Sequence, residues 1–256
     1  MSAPLLFDTH AHYTDKKLRE TGLLADALAG DICGVLCAAS DLPDSHACLA
    51  LAEKNPAVYA AAGIHPHECG KVPSLDDAMT ELSSLLRQKK VVALGEIGLD
   101  YYYDFSDRET QMRFFRAQMD VAAETGTPVI IHDREAHGDT MDVIRSYEGR
   151  VRGIIHSCSV SAEFVRDYVK MGWYISFSGV ITFKNAAKIL ESVAATPRDR
   201  ILVETDCPYL APVPMRGSVN HSGYLHFTAE KAASILQMEY PTFCETEVAN
   251  ARAIFG

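Results

Sequence analysis

The sequence lacks any apolar run long enough to cross a membrane. A transmembrane helix needs about 18 or more consecutive apolar residues, and polar residues interrupt every apolar stretch of this chain before that length. The N-terminal segment also lacks the basic start and apolar core of a signal peptide. We therefore expect a cytoplasmic protein with no membrane partner.

Paired cysteine motifs are absent as well. No Cys-x-x-Cys pair occurs, which excludes the common structural zinc motifs. Scattered cysteines in odd number are typical of a reduced cytosolic protein whose thiols pack as small apolar groups. We expect no disulfide framework among the seven: Cys33, Cys37, Cys48, Cys69, Cys158, Cys207 and Cys244.

Positive charge is scarce. The 24 Lys and Arg residues are outnumbered by 34 Asp and Glu residues, and the formal net charge is -10. This balance argues against a broad basic surface that wraps around duplex nucleic acid. It leaves a compact nucleic-acid site open, because bound divalent cations can supply positive charge where side chains do not.

Strand-like and helical segments alternate along the 256 residues. This alternation is typical of βαβ units and a parallel sheet. We predict eight strands, at Leu5–His10, Ile32–Ala38, Val58–Ile64, Val91–Glu96, Val129–His132, Gly153–His156, Trp173–Phe177 and Ile201–Thr205. The helices are predicted at Asp15–Leu28, Ser45–Lys54, Ser74–Gln88, Asp107–Glu124, Asp139–Tyr147, Ser161–Lys170, Ala186–Ala194, Leu225–Gln237 and Phe243–Ile254.

The predicted fold is of the α/β class, a (β/α)8 TIM barrel. No Pro- or Ser-rich linker divides the chain, so we predict one domain over residues 1–256. An open doubly wound sheet is the alternative, although no Gly-rich phosphate loop follows the first strand.

Two histidines lie at the end of the first predicted strand, in Asp8-Thr9-His10-Ala11-His12. Alternate residues of a strand point to the same side, so both imidazoles can meet one metal ion. Neutral imidazole is a good ligand for transition metals. A polar strand end that happens to hold two histidines is the ordinary alternative.

Further polar side chains fall where other predicted strands end, and all of them except His65 are candidate metal ligands. They are His65, Glu96, His132, His156 and Asp206. The C-terminal ends of barrel strands gather at one mouth, so we expect these groups to converge with the first two histidines. Without His65, this leaves four imidazoles (His10, His12, His132 and His156) and two carboxylates. They exceed what one tetrahedral zinc requires, and the sequence therefore predicts two metal ions.

The remaining roles follow from side-chain chemistry. Glu96, in a Gly-Glu-Ile-Gly segment whose glycines allow close backbone approach, is the candidate bridge between two ions. Asp206 is the candidate metal ligand and general base that accepts a proton from the attacking water. His65 is expected to donate to a substrate phosphate. Arg134 is expected to meet phosphate too, with surface charge as its alternative.

Other residues near the predicted ligands each allow two interpretations. Asp8 and Glu204 each lie two residues from a predicted ligand on the same strand face and are expected to orient it, and Glu204 is also a further candidate ligand. His67 is equally well explained by a structural or a functional role. The ring cluster Tyr101–Tyr103 either stacks on a base or packs internally.

Six short motifs lie at or near the predicted strand ends. They read DTHAH at 8–12, GIHPH at 63–67, GEIGLD at 95–100, PVIIH at 128–132, ISFSG at 175–179 and LVETDCPYL at 202–210. Together, in this order and over nearly the whole chain, they resemble the TatD-type metal-dependent deoxyribonucleases. The resemblance implies a TIM-barrel hydrolase of the amidohydrolase-like superfamily that cleaves phosphodiester bonds.

The resemblance also implies a ligand set and a substrate. One ion would be held by His10, His12 and Asp206, the other by His132 and His156, with Glu96 as the bridge. Members are often Mg- or Mn-dependent exonucleases that act on single-stranded ends, and some carry zinc. The implied cofactor is thus two divalent ions (Mg, Mn or Zn), the implied partner is DNA as substrate, and we expect a monomer.

Two other functions stay open at this point. A hydrolase of C–N or ester bonds on the same barrel is the main alternative, since a metal pair polarises a carbonyl as readily as a phosphoryl oxygen. A metal-binding or nucleic-acid-binding module without catalysis is the third.

Two segments depart from the family pattern. After His156 the chain reads Ser-Cys-Ser-Val where the family commonly has Cys-Phe-Ser-Gly, and after Asn220 it reads His-Ser-Gly where the family usually has an acidic residue and then proline. The first is expected to reshape the loop beside one metal and the second to alter substrate contact. Neither removes a predicted ligand.

Overall fold

The computed structural model describes residues 4–256. Its eight strands form one parallel sheet in which strand order follows chain order, with helices between the strands, so the predicted (β/α)8 TIM barrel is confirmed. The strands are β1 (Leu6–Ala11), β2 (Ile32–Ala38), β3 (Val58–Ala62), β4 (Val91–Asp100), β5 (Val129–Arg134), β6 (Gly153–Ile155), β7 (Tyr174–Phe177) and β8 (Ile201–Val203).

The described helices match the predicted alternation. They are α1 (Leu23–Ala29), α2 (Leu42–Lys54), α3 (Leu75–Leu85), α4 (Arg108–Thr125), α5 (His137–Ser146), α6 (Ala162–Lys170), α7 (Ala187–Ala195), α8 (Leu225–Ile235) and α9 (Tyr240–Phe255). In residues 4–256 no helix combines the length and apolar character needed to cross a membrane. None of the seven cysteines takes part in a disulfide bond within the described residues.

The chain divides into two compact units. The first unit comprises the part of the chain up to Cys37 together with Ser157–Lys170 and Tyr174–Gly256. The second unit comprises Ala38–His156 and Met171–Trp173. That the whole of 1–256 forms one domain stays a prediction.

Parallel pairing orders the first unit. Strand β1 pairs with β2, and β7 pairs with β8. A parallel bridge joins Ala11 to Cys207, just beyond the end of β8. Helix α9 adds a buried carboxylate to this unit, because Glu247 Oε2 accepts the backbone N–H of Phe7 in β1 at 3.0 Å.

Glu247 gives this unit an expected pH dependence. Burial raises the pKa of its carboxyl well above the ordinary 4.5, the Phe7 N–H opposes this, and the charge of Asp8 adds to it. The folded chain then keeps a proton that the unfolded chain releases, so this contribution to stability is complete at low pH and declines as pH rises above that ordinary value.

Glu247→Gln, which cannot titrate, tests this sign. The free energy of unfolding of the parent, minus that of the variant, is expected to fall by roughly 1.4 kcal/mol per pH unit at most, measured by urea denaturation between about pH 5 and pH 8. Glu245→Gln, an exposed change on the same helix, is the control and should leave the pH profile unchanged. If the free energy of unfolding changes with pH equally in the parent and in the Glu247 variant, the pKa of Glu247 is not raised in the folded protein.

In the second unit, strands β3 to β6 pair in sequence. Two glycines allow β4 and β5 to meet closely, as predicted. At Gly98, where φ is 136°, an added Cβ would collide with the carbonyl oxygen of His132; at Gly95 it would lie 2.6 Å from Cβ of Ile130. Helix α4 covers this region, and Phe114 packs there with a buried cluster that includes Ile64.

Several predicted boundaries are wrong. The helix predicted at Asp15–Leu28 begins only at Leu23, because residues 15–22 form turns that end at Gly22 in the left-handed region. Strand β4 continues four residues past Glu96, because Asp100 pairs with Arg134 of β5. His132 therefore lies inside β5 rather than at its end.

Candidate metal centre

In the first unit, three predicted ligands come together, and we call them the first-unit set: His10, His12 and Asp206. Backbone hydrogen bonds align their segments, since His12 N–H donates to Cys207 O at 2.8 Å and Asp206 N–H donates to His10 O at 2.9 Å. The two Nε2 atoms lie 3.1 Å apart, so the prediction that both rings share one side is confirmed. Asp206 Oδ1 lies 3.3 Å from His12 Nε2 and 4.0 Å from His10 Nε2.

Asp8 holds the backbone beside this set through hydrogen bonds. Its carboxylate accepts the Thr205 N–H at 2.9 Å, the Thr205 hydroxyl at 2.6 Å and the Ser222 hydroxyl at 2.6 Å. Burial raises the pKa of Asp8 to about 6, although the hydrogen bonds from Ser222 and Thr205 act in the opposite direction. The carboxylate thus fixes Thr205, the residue before Asp206. That Asp8 orients His10 stays a prediction.

Both departures from the family pattern make defined contacts in the first unit. Ser222 donates to Asp8, and Tyr13 in turn donates its hydroxyl hydrogen to Ser222 at 2.9 Å. In the other departing segment, the Ser157 N–H donates to Glu204 Oε1 at 2.8 Å, and the Ser157 and Ser178 hydroxyls lie 2.9 Å apart. Glu204 therefore holds the backbone of the residue after His156, and that Glu204 orients Asp206 stays a prediction.

In the second unit, the carboxylate of Glu96 gathers three imidazoles. Its Oε1 lies 2.7 Å from His132 Nδ1, 3.0 Å from His156 Nε2 and 3.5 Å from His65 Nε2. We call Glu96, His132 and His156 the second-unit set. The structure thus joins the predicted ligands of strands β4, β5 and β6. That Glu96 bridges two ions stays a prediction.

His65 is held as a neutral hydrogen-bond donor. Burial lowers its pKa to about 4, outweighing the charge of Glu96, which raises it. Its Nδ1 accepts the backbone N–H of His67 at 3.1 Å, so in the neutral ring the proton sits on Nε2. Although a ligand atom of His65 lies within 4.8 Å of those of Glu96 and His132, this tautomer suits a donor to substrate better than a metal ligand.

Asp100 is a site residue that the sequence analysis did not single out. Its Oδ2 lies 3.1 Å from His132 Nε2 and 2.7 Å from His67 Nε2. Burial acts to raise the pKa of Asp100, but the bonds to His132 and His67 hold it far below its ordinary range. Its position as the acidic residue that ends the GEIGLD motif, four residues after Glu96, was the available signal.

Asp100 also sets the orientation of His132. Burial lowers the pKa of His132, but hydrogen bonds to Asp100 and Glu96 raise it to about 9. With Nε2 bonded to Asp100, the ring directs Nδ1 at Glu96. A carboxylate behind a ligating histidine fixes the ring and increases its basicity as a ligand.

Asp100→Asn is expected to weaken divalent metal binding about 10- to 100-fold, as is typical when such a supporting carboxylate is lost. Isothermal titration of the metal-stripped protein with Mn2+ measures the effect. Asp142→Asn, an exposed change on α5, is the control and should leave the affinity unaltered. Unchanged Mn2+ affinity in the Asp100 variant would show that His132 needs no such support.

The chemistry of both sets fits divalent metal. Imidazole nitrogen and carboxylate oxygen are ligands for Zn, Mn and Fe, and carboxylates also suit Mg. The ligand atoms of the first-unit set lie within 4.8 Å of one another. Two ring nitrogens 3.1 Å apart share at most one proton, so the pair of His10 and His12 offers a lone pair toward the space between them.

Arg134, the exposed last residue of β5, contacts the aromatic loop that follows β4. Its guanidinium carbon is 4.4 Å from the centre of the Tyr102 ring and 4.7 Å from that of Tyr103. Contact of Arg134 with phosphate stays a prediction.

The chain is similar over nearly its whole length to known proteins. The family model for TatD related DNase matches residues 7–256. The metal-dependent hydrolase YabD of Bacillus subtilis, whose function is uncharacterised, is 37% identical over 98% of this chain and 99% of its own. The 3'-5' ssDNA/RNA exonuclease TatD of Salmonella typhimurium is 30% identical over 98% of each chain.

A solved structure extends the likeness to three dimensions. The crystal structure of YjjV, a TatD homologue from Escherichia coli K12, superposes with a TM-score of 0.91 at 27% identity, covering 98% of this chain and 97% of that one. Sequence and fold therefore agree, and the chain belongs to the TatD-related DNase family of metal-dependent hydrolases.

Proposed function

We propose that this protein is a divalent-metal-dependent deoxyribonuclease that hydrolyses phosphodiester bonds at single-stranded DNA ends. The observation that carries the proposal is the pair of ligand sets, with imidazoles gathered around a carboxylate in each unit. The exonuclease name of the Salmonella relative supports a single-stranded substrate.

Each group has a proposed task. Divalent ions bound to the two sets would supply positive charge to the phosphoryl oxygens and acidify the attacking water. Asp206 would accept the proton of that water at a carboxylate oxygen. This side chain is only partly exposed, at 16%, which leaves it accessible to water while limiting screening of its charge.

Substrate contacts are assigned to His65 and Arg134. His65 carries its proton on Nε2, so it can donate to a phosphate oxygen without changing its charge. Arg134 is exposed and permanently cationic, and its planar group suits a phosphate on the next nucleotide. These donors offset part of the repulsion between an acidic chain and a polyanion.

A cleavage assay tests the proposal. Metal-stripped protein is supplied with Mg2+ or Mn2+ and incubated with single strands labelled at either the 5′ or the 3′ end. Progressive shortening that EDTA abolishes is expected, and the two labels reveal the direction of digestion. Absence of shortening with every metal would overturn the nuclease proposal, and hydrolysis of lactones or amides in parallel assays would then favour the C–N or ester-bond alternative.

A further inference from the structure

The loop that follows β4 exposes three aromatic rings side by side. Phe105, Tyr102 and Tyr103 are 68%, 61% and 46% exposed, and we call them the aromatic platform. Grouped, exposed apolar side chains are uncommon on soluble proteins and mark contact sites.

The rings of the platform are ordered relative to one another. Tyr103 and Phe105 stack with centroids 5.3 Å apart and planes 15° apart, and Tyr102 meets Tyr103 edge-on at 4.9 Å. The guanidinium of Arg134 lies over Tyr102 and Tyr103. The platform thus offers flat aromatic faces beside a cation, the combination that proteins use to bind unpaired bases.

Both ends of this loop are anchored. Asp100 Oδ1 accepts the backbone N–H groups of Tyr102 at 3.0 Å and Tyr103 at 2.8 Å. At the other end, the Ser106 hydroxyl donates to His67 O, and Gln111 Nε2 donates to Ser106 O at 2.8 Å. Preorganised rings lose little conformational entropy on binding, which favours affinity.

The platform is continuous with the second-unit set. The ring of His67 lies 4.8 Å from that of Phe105 and 5.5 Å from that of Tyr103. His67 also bonds to Asp100, which bonds to His132. A ligand stacked on these rings would lie directly beside side chains that orient a predicted metal ligand.

We propose that the aromatic platform binds an unpaired base of single-stranded nucleic acid beside the scissile phosphate. The inference rests on the proposed function for its substrate. The chain carries a net charge of -10, so broad attraction of phosphates contributes little affinity. Stacking needs no net positive charge, and it supplies the missing affinity through the base.

Leucine substitutions separate stacking from apolar contact, because leucine keeps apolar bulk and lacks a flat ring. The probe is a single strand with 2-aminopurine near its 3′ end, whose fluorescence reports stacking, titrated in EDTA so that no cleavage occurs. Phe105→Leu and Tyr103→Leu are each expected to weaken binding about tenfold, within the range of one base–aromatic stack. Binding of a strand with abasic sites at the same positions is measured by fluorescence anisotropy of a 5′ dye, alongside the intact strand with the same dye. The abasic strand should bind weakly and equally to parent and variants.

Tyr59→Leu is the matched control. Tyr59 lies near the start of β3 in the same unit and also carries a cation on its ring, with Lys90 Nζ 4.8 Å from the centroid. This variant should bind the probe like the parent.

The outcomes separate this inference from the proposed function. Equal binding of intact and abasic strands to the parent, or unaltered binding by Phe105→Leu, would show that the aromatic platform binds no base. This holds even if the parent cleaves DNA. Base-dependent binding that the Phe105 variant loses would support the platform even if the parent cleaves no phosphodiester, in which case only the proposed function fails. The abasic comparison uses the parent alone, so it holds even where a variant misfolds.

Discussion

Asp206→Asn is expected to lower kcat for single-stranded DNA hydrolysis by about a thousandfold or more. An amide accepts no proton from water, and loss of general base catalysis alone typically costs about 10²–10⁴-fold. It also removes the negative charge that Oδ1 places 3.3 Å from His12 Nε2, which weakens the first-unit set as a metal site. Single-turnover cleavage at saturating Mn2+, with the metal content of the native protein measured by mass spectrometry, checks both effects.

The control for this variant is Asp199→Asn. Asp199 precedes the same strand, β8, at its opposite end, and its exposed carboxylate meets only a neighbouring guanidinium in the contacts described, that of Arg200 at 3.1 Å. Cleavage by the control should match the parent. If the Asp206 variant also cleaves at the parental rate, Asp206 is neither the base nor an essential ligand.

Glu96→Gln is expected to abolish metal binding in the second unit and, with it, hydrolysis. The amide of Gln carries no negative charge, so position 96 would no longer offer a charged oxygen to a metal ion held with His132 and His156. Removing a direct ligand should weaken metal binding by more than the roughly 10- to 100-fold typical of a supporting residue. Metal content and single-strand cleavage are measured together, and the variant is expected to retain about one ion fewer per chain than the parent.

Glu81→Gln provides a matched control for this change. Glu81 Oε1 lies 2.7 Å from His46 Nε2, a spacing equal to that of Glu96 and His132, but both partners are exposed. Exposed pairs contribute about 0–1 kcal/mol, so metal content and cleavage should stay at parental values. A Glu96 variant that keeps full metal content would show that the second-unit set is structural.

The sequence determined the parts of this protein that depend on local periodicity. Alternation of strand and helix predicted the (β/α)8 barrel, because each strand and its covering helix carry their own apolar pattern. The common side of His10 and His12 followed from the two-residue period of a strand. The glycines around Glu96 predicted a close backbone approach, and in the structure this is the approach of β4 to β5.

Boundaries and hydrogen-bond partners needed the tertiary structure. Strand β4 extends to Asp100 only because β5 pairs with it that far, and this places Asp100 behind His132. The opposite error concerns the predicted first helix. It is shorter than predicted, because the residues up to Gly22 form turns. Neither partner strands nor competing turns are visible in the periodicity of one segment.

What the sequence alone determined, then, was the barrel and the kinds of side chain at its strand ends. Only the tertiary structure decided which nitrogen of His65 carries the proton, since that depends on the His67 N–H folded back against the ring. It also decided that Ser222 supports Asp8, 214 residues away. Buried polar groups take the partners that long-range packing brings to them, and no local pattern encodes that choice.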